Sequence, residues 1–408
     1  MTTTTIPTFR QDAQVIGLVG ICHGVSHFFQ LILVPLFPWL KEAFTLSYAE
    51  LGFLMSVFFL VSGIGQALAG FAVDRMGART VLFFGIACLG ASALILSLAP
   101  NYAVLVLGSM LAGVGNSVFH PSDFTLLNKR VSVSRLGHAF SVHGISGNLG
   151  WAAAPLFLTS VAAFSSWRMA LLAAALIPFA LLSVLFVYRE LLRTDEVETA
   201  VVSPHAGEPA HVLDFMRLPE VWMCFAFFFI TSMALSGIQS FSSTSLRQLY
   251  GMSLAWATIA YSSYMLAGAG GMLLGGFLAS KAARHDRTIA LAFVIAGLTA
   301  VLLAIGIVPS PMAVVLMGVM GFGAGIAGPS RDLLIRAAAP KNATGRVYGV
   351  VYSGLDTGFA VAPVLFGMLL DGNHPSWVFF AVGAFQVLAI VTAVNVGSGA
   401  ARRAGQTA

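Results

Sequence analysis

Polar side chains set inside long apolar runs are where chemistry could happen in this chain. His23 and His27 stand four positions apart, and Gln30 continues the same helical face. Imidazoles so placed can hold a polar substrate group or pass a proton, or they can pack against neighbouring helices. Tyr348, Tyr352 and Asp356 follow at i, i+4 and i+8, again on one face. A carboxyl group in hydrocarbon is able to carry a proton, and it can also serve as a structural hydrogen-bond partner. His120 and Asp123 sit in a helix-breaking His-Pro-Ser-Asp stretch that suits an inner gate or a proton exit. Asp123 could equally pair with Lys129 or Arg130. With His143 these two residues make a conceivable ion site, but their spacing matches no ligand motif, so no metal and no cofactor is expected. Ser232, Ser236, Gln239 and Ser243 form one stripe flanked by Thr231 and Ser240, and Tyr261 and Tyr264 supply a second polar surface. Such walls suit uncharged or zwitterionic groups, or hydrogen-bonded helix packing. No hydrolase-like Ser/His or Glu/His/His pattern stands out, and no glycine-rich phosphate loop ends in Lys-Ser or Lys-Thr. An enzyme and a nucleotide-driven pump are therefore set aside.

The elements that must position these groups are membrane helices. The 408 residues are 58% hydrophobic and 9% charged, with mean hydropathy +0.89; a soluble domain carries about 25% charged residues. Twelve apolar stretches, at 14–40, 48–72, 79–98, 102–125, 137–163, 168–188, 219–246, 254–279, 288–307, 312–335, 343–369 and 376–397, are each long enough to cross about 30 Å of hydrocarbon. The two-residue alternation of a membrane β-barrel is missing. At about 1.5 Å per residue, His23 lies about 14 Å deep, His27 and Asp356 about 20 Å, and His143 about 9 Å.

Of the 21 Lys and Arg, all but Lys41, Arg168 and Arg247 fall on one side of this arrangement. That excess marks the cytoplasmic face, so both termini are expected inside, in a bacterial inner membrane. Nucleic-acid binding is not expected, since no basic cluster exceeds a short loop. Cys22, Cys88 and Cys224 lie within spans, too far apart for a metal motif. The polar segment 189–218, with Ser203-Pro204 and Pro209, reads as a cytoplasmic linker between residues 1–188 and 219–408.

Residues 113–155 recur without a gap as residues 321–363. Gly113 and Gly115 answer to Gly321 and Gly323, Pro121-Ser122 to Pro329-Ser330, and Gly150, Ala152, Ala154 and Pro155 to Gly358, Ala360, Ala362 and Pro363. Two similar hydrophobic halves are a common construction for alternating access. Asn148 and Asp356 are then symmetry partners, of which only Asp356 ionises.

After the second stretch, Gly70-Phe71-Ala72-Val73-Asp74-Arg75-Met76-Gly77-Ala78-Arg79 resembles the loop signature of the major facilitator superfamily. The second half carries a worn copy, Gly276-Phe277 followed by Ser280-Lys281. The resemblance implies two pseudo-symmetric six-helix bundles and a gate formed by Gly70, Asp74, Arg75, Gly77 and Arg79, with Asp74 docking near Gly345-Arg346. Val118-Phe119-His120-Pro121, Gly147-Asn148-Leu149-Gly150 and Pro155-Leu156 resemble the fosmidomycin-resistance branch, which implies export of a drug in exchange for protons. Two departures stand out: Ser122 precedes Asp123, and Ser109 stands where antiporters of the superfamily often carry Arg. Gly144, Gly147 and Gly150 before Pro155 fit either an antiporter hinge or close helix packing.

The expectation is an all-α polytopic membrane protein of twelve helices that works as a monomer. It would move a small organic compound or drug in exchange for protons. Uptake of a small organic anion with protons is the alternative, and a sensor built on a transporter-like body is a third. Substrate contacts are expected from His23, His27, Gln30, Asn148, Ser232, Ser236, Gln239, Tyr261, Tyr264 and Tyr352. Proton coupling is expected from Asp356, Asp123 and His120, and gating from the loop signature together with Arg346.

Overall fold

A computed structural model of the chain describes residues 8–194, 219–281, 284–338 and 344–406. Among the described residues every regular element is helical, and twelve segments are long and apolar enough to cross a membrane. The protein is an all-α membrane protein of the expected class.

The chain divides into two units, one of residues 1–44 and 60–206, the other of residues 45–59 and 207–408. In the first unit, α1 (Phe9–Gln30) packs on α7 (Leu136–Phe164). There, α4 (Ala78–Ser97) packs on both α5 (Tyr102–Ser117) and α8 (Trp167–Val187). The same unit holds α2 (Phe37–Phe44), α6 (Phe119–Arg130) and the later part of α3 (Tyr48–Met76). In the second, α9 (Pro219–Tyr250) packs on α13 (Thr344–Asp371), and α11 (His285–Ile305) packs on α12 (Ser310–Ala338) and α14 (Pro375–Gln406). The remaining helix, α10 (Leu254–Lys281), lies along α12. The α1–α7, α4–α8 and α4–α5 pairs thus recur as α9–α13, α11–α14 and α11–α12. The sequence repeat is a repeat of packing.

Close packing explains which repeat residues had to stay small. A Cβ on Gly150 would strike the carbonyl oxygen of Gly24, and one on Gly358 would strike Ser232 and the carbonyl of Phe229. In lipid, where no hydrophobic force joins helices, such close backbone approach is what holds α1 to α7 and α9 to α13. Aromatic and aliphatic side chains fill the rest; Phe227, Phe228, Ile289, Phe293, Val351 and Ala389 form one buried cluster of the second unit. Cys22, Cys88 and Cys224 are buried and form no disulfide.

Two spans are interrupted, the fourth of them beside the stretch expected to break its helix. The first helix ends at Gln30 and the chain passes through a 3-10 turn, Val34–Leu36, before α2 resumes the crossing. Pro35 and Pro38 lack the amide hydrogens that a continuous helix would need there. The fourth span breaks at Val118, between α5 and α6. The downstream Pro121 sits within the first turn of α6, where its missing donor costs nothing.

Candidate functional site

The site grows from the buried face of α1. Thr8 starts this helix with a capping box, its hydroxyl accepting from the Gln11 amide while its own amide donates to Gln11 Oε1. About four turns later His23 and His27 emerge on one face, with ring centroids 4.3 Å apart. Gln30 follows, its Nε2 donating to Asn116 Oδ1 on α5 and its Oε1 accepting from Trp151 Nε1 on α7. Asn116 Oδ1 also accepts from Ser26, and Asn116 Nδ2 donates to Ser62 on α3. One buried amide pair therefore joins α1, α3, α5 and α7. A satisfied polar network of this kind fixes helix register more firmly than apolar contact alone.

Below this network the imidazoles gather. The His23 ring stacks on His143 at 3.5 Å with the planes 20° apart, and lies 5.4 Å from His120. His23 Nδ1 is 2.8 Å from the carbonyl oxygen of His143, which also accepts from Ser146 Oγ. His143 Nε2 is 3.1 Å from Asp123 Oδ2, and Asp123 is fully buried. His27 leans on Trp151, with ring centroids 4.2 Å apart. Gly147 makes room for this assembly, since a Cβ there would fall 2.6 Å from the His27 ring and 2.9 Å from that of His23. Asp123 thus meets His143, not the ion-pair partner Lys129 or Arg130 weighed from sequence.

The other first-unit residues are placed differently. Asn148 turns back to its own helix, Nδ2 donating to the Gly144 carbonyl, and is not brought into the cluster. Asn116, Ser26, Ser62, Trp151 and His143 all enter the network without having been counted as substrate contacts. Asn116 had a signal, an amide within an apolar span. Trp151 had none, because an indole in a membrane helix reads as packing.

In the second unit, Ser232 donates to the carbonyl of Phe229 and packs against Gly358. Ser236 and Gln239 on α9 and Tyr261 and Tyr264 on α10 are buried. The Ser236 hydroxyl, Gln239 Nε2 and the Tyr261 hydroxyl have no hydrogen-bond partner among the described residues. These are groups a polar ligand could satisfy. Asp356 lies half-buried on α13. Arg346 and Tyr352 belong to the same helix, but their side chains lie outside the described residues.

The loop signature has a clear mechanical role within the first unit. Gly77 holds φ at 81°, a conformation open to glycine and strained for other residues, and so lets α3 end and α4 begin with one residue between them. Arg79 then reaches across to the end of the sixth span, donating to the Arg189 carbonyl at 3.2 Å and lying 3.8 Å from Glu190. Gly70 stands on α3 with open space beside it, and Asp74 and Arg75 are exposed.

Residues 19–354 and 284–403 match the sequence profile of the Major Facilitator Superfamily. The chain belongs to that superfamily. The fosmidomycin resistance protein of Escherichia coli (strain K12) is 22% identical over 280 residues, covering 67% of each chain. An uncharacterised transporter of the superfamily from Bacillus subtilis (strain 168) is 27% identical over 142 residues, 35% of this chain and 34% of its own. Among solved structures, a bacterial homologue of the human lysosomal transporter Spinster, in an inward-facing, unoccupied conformation, superimposes with a TM-score of 0.75 at 15% identity, covering 97% of both chains. This member of the superfamily is accordingly a multi-pass membrane transporter with a small-molecule substrate, and not an enzyme.

Proposed function

We propose that this transporter exports a small organic compound or drug in exchange for protons, from a bacterial inner membrane, with both termini cytoplasmic and the monomer as the working unit. The observation that carries the reading is the unbroken run of contacts from His27 through His23 and His143 to Asp123 inside the first unit. Groups that gain and lose protons, in contact and buried within the membrane, are what a coupling path requires. The similarity to the fosmidomycin resistance protein supports the outward direction. Asp123 and His120 are assigned to proton transfer, and Asp356 to the second unit's share of it. His23, His27 and Gln30 are assigned to the substrate together with Ser232, Ser236, Gln239, Tyr261 and Tyr264; Asn148 and Tyr352 are assigned a lesser part. Gating falls to the loop signature with Arg346, and the boundaries of the two bundles to the segment 189–218. Substrate and proton bias the two access states only by binding them unequally.

A second reading, uptake of a small organic anion with protons, is favoured by the imidazole cluster, which would hold an anion when protonated. Proteoliposomes carrying an imposed pH gradient distinguish the two. Exchange predicts that substrate and proton move in opposite directions, with a panel of small drugs driving proton release from the lumen. Co-directional movement would replace export with uptake, and no gradient dependence would remove proton coupling.

A further inference from the structure

We propose that the imidazole cluster where α1, α6 and α7 meet binds one divalent transition-metal ion of the Zn2+, Co2+, Ni2+ or Cu2+ class. One potential ligand atom from each of His23, His27 and His120 lies within 4.8 Å of the others, and the same is true of His23, Asp123 and His143. Two overlapping triads share His23. Zinc takes imidazole nitrogens at about 2.0–2.1 Å in a tetrahedron, and ring movements on the order of 1 Å would bring either triad to that geometry.

Orphaned atoms supply the second, independent argument. His23 Nε2, His27 Nδ1, His120 Nδ1 and Asp123 Oδ1 are buried and have no hydrogen-bond partner among the described residues. His23 is 3% exposed, His27 9% and Asp123 0%. Buried polar atoms are ordinarily paired, so a concentration of four unpaired ones in one place asks for an occupant.

The outer contacts are those of a ligating shell. A metal-bound histidine normally gives its other ring hydrogen to a carbonyl or carboxylate, which fixes its tautomer and aims the free nitrogen. His23 is held this way, Nδ1 on the His143 carbonyl, which leaves Nε2 for the ion. The donor set selects the ion class. Several imidazoles with one carboxylate suit borderline transition metals, whereas Mg2+ and Ca2+ prefer oxygen ligands. The inference uses residues that the export reading assigns to substrate and protons. It is tested by binding alone, so the failure of either leaves the other standing.

The full-length chain, purified in detergent with an affinity tag free of histidine, is titrated with CoCl2 while visible ligand-field absorption is recorded, then back-titrated with ZnCl2. One equivalent of Co2+ should bind, Zn2+ should displace it, and excess Mg2+ should not. His23→Ala, which removes the ligand common to both triads, should weaken binding at least about 10-fold, while His138→Ala, at an exposed position of α7, should leave it unchanged. If His23→Ala does not purify as a monodisperse protein, a chain carrying His120→Gln and Asp123→Asn together, which breaks both triads, replaces it with the same expected loss. Absence of saturable binding at one equivalent in the wild-type protein overturns the proposal. So does binding that persists undiminished in His23→Ala or, where that does not purify, in the double variant, which would place the metal on other residues.

Discussion

Asp356 and Gly150 show how differently two residues of one repeat can matter. Asp356 is the ionisable partner of Asn148, and Asn148 spends its amide on its own helix. If the second unit's share of coupling rests on that carboxyl group, Asp356→Asn should reduce pH-driven transport in proteoliposomes to the level seen without a gradient, while the thermal midpoint in detergent stays put. Full activity in that variant would remove Asp356 from the mechanism. Gly150 acts through volume. Gly150→Ala must push α1 off α7 because the obstructing atom is a backbone oxygen, and it should cost about 1–3 kcal/mol, read as a lowered unfolding midpoint. Gly144→Ala, one turn and a half away in open space, should be neutral or stabilising by up to about 1 kcal/mol. The stripe of glycines looked uniform in sequence; only the partner helix distinguishes them.

Between helices, two polar contacts define how elements are registered. Asn116 serves α1, α3 and α5 at once, so Asn116→Leu leaves Ser26, Ser62 and one end of Gln30 without partners. That should destabilise the protein by more than about 2 kcal/mol, measured by thermal unfolding, and Asn116→Asp should be milder. In the second unit the carboxylate of Asp371 accepts from the amides of Tyr48 and Ala49, at 2.7 and 2.9 Å, at the start of α3. A negative charge on the unsatisfied first-turn amides is stabilising. Asp371→Ala should cost about 1 kcal/mol and the difference should shrink in high salt, since the site is exposed. Such contacts were out of reach of sequence reasoning. The i, i+4 spacing exposed His23 and His27, but nothing local ties Gln30 to Trp151 or Tyr48 to Asp371. The break at Val118 lies beside the His-Pro-Ser-Asp stretch that reads as helix-breaking. The break after Gln30 was hidden for another reason: composition remains apolar through it, so the hydropathy signal that counts spans is blind to an interruption within one.

For the whole molecule, the duplication was the most legible feature, because matching glycines and prolines at 113–155 and 321–363 report matching helix contacts. The candidate site was legible by residue type and not by connection: polar groups in hydrocarbon announce themselves, while their partners depend on folding. The proposed orientation, with both termini inside, rests on the excess of Lys and Arg on one side of the spans. A fluorescent protein fused after Ala408 should mature in the cytoplasm, and a phosphatase fused at the same point should stay inactive. The reverse pattern would invert the topology. Lastly, Cys22, Cys88 and Cys224 are closed to solvent, and a sequestered thiol is a poor nucleophile. The natural protein is therefore an almost silent background for maleimide dyes. Single or paired cysteines added to its loops would report distances during turnover without first rebuilding the native chain.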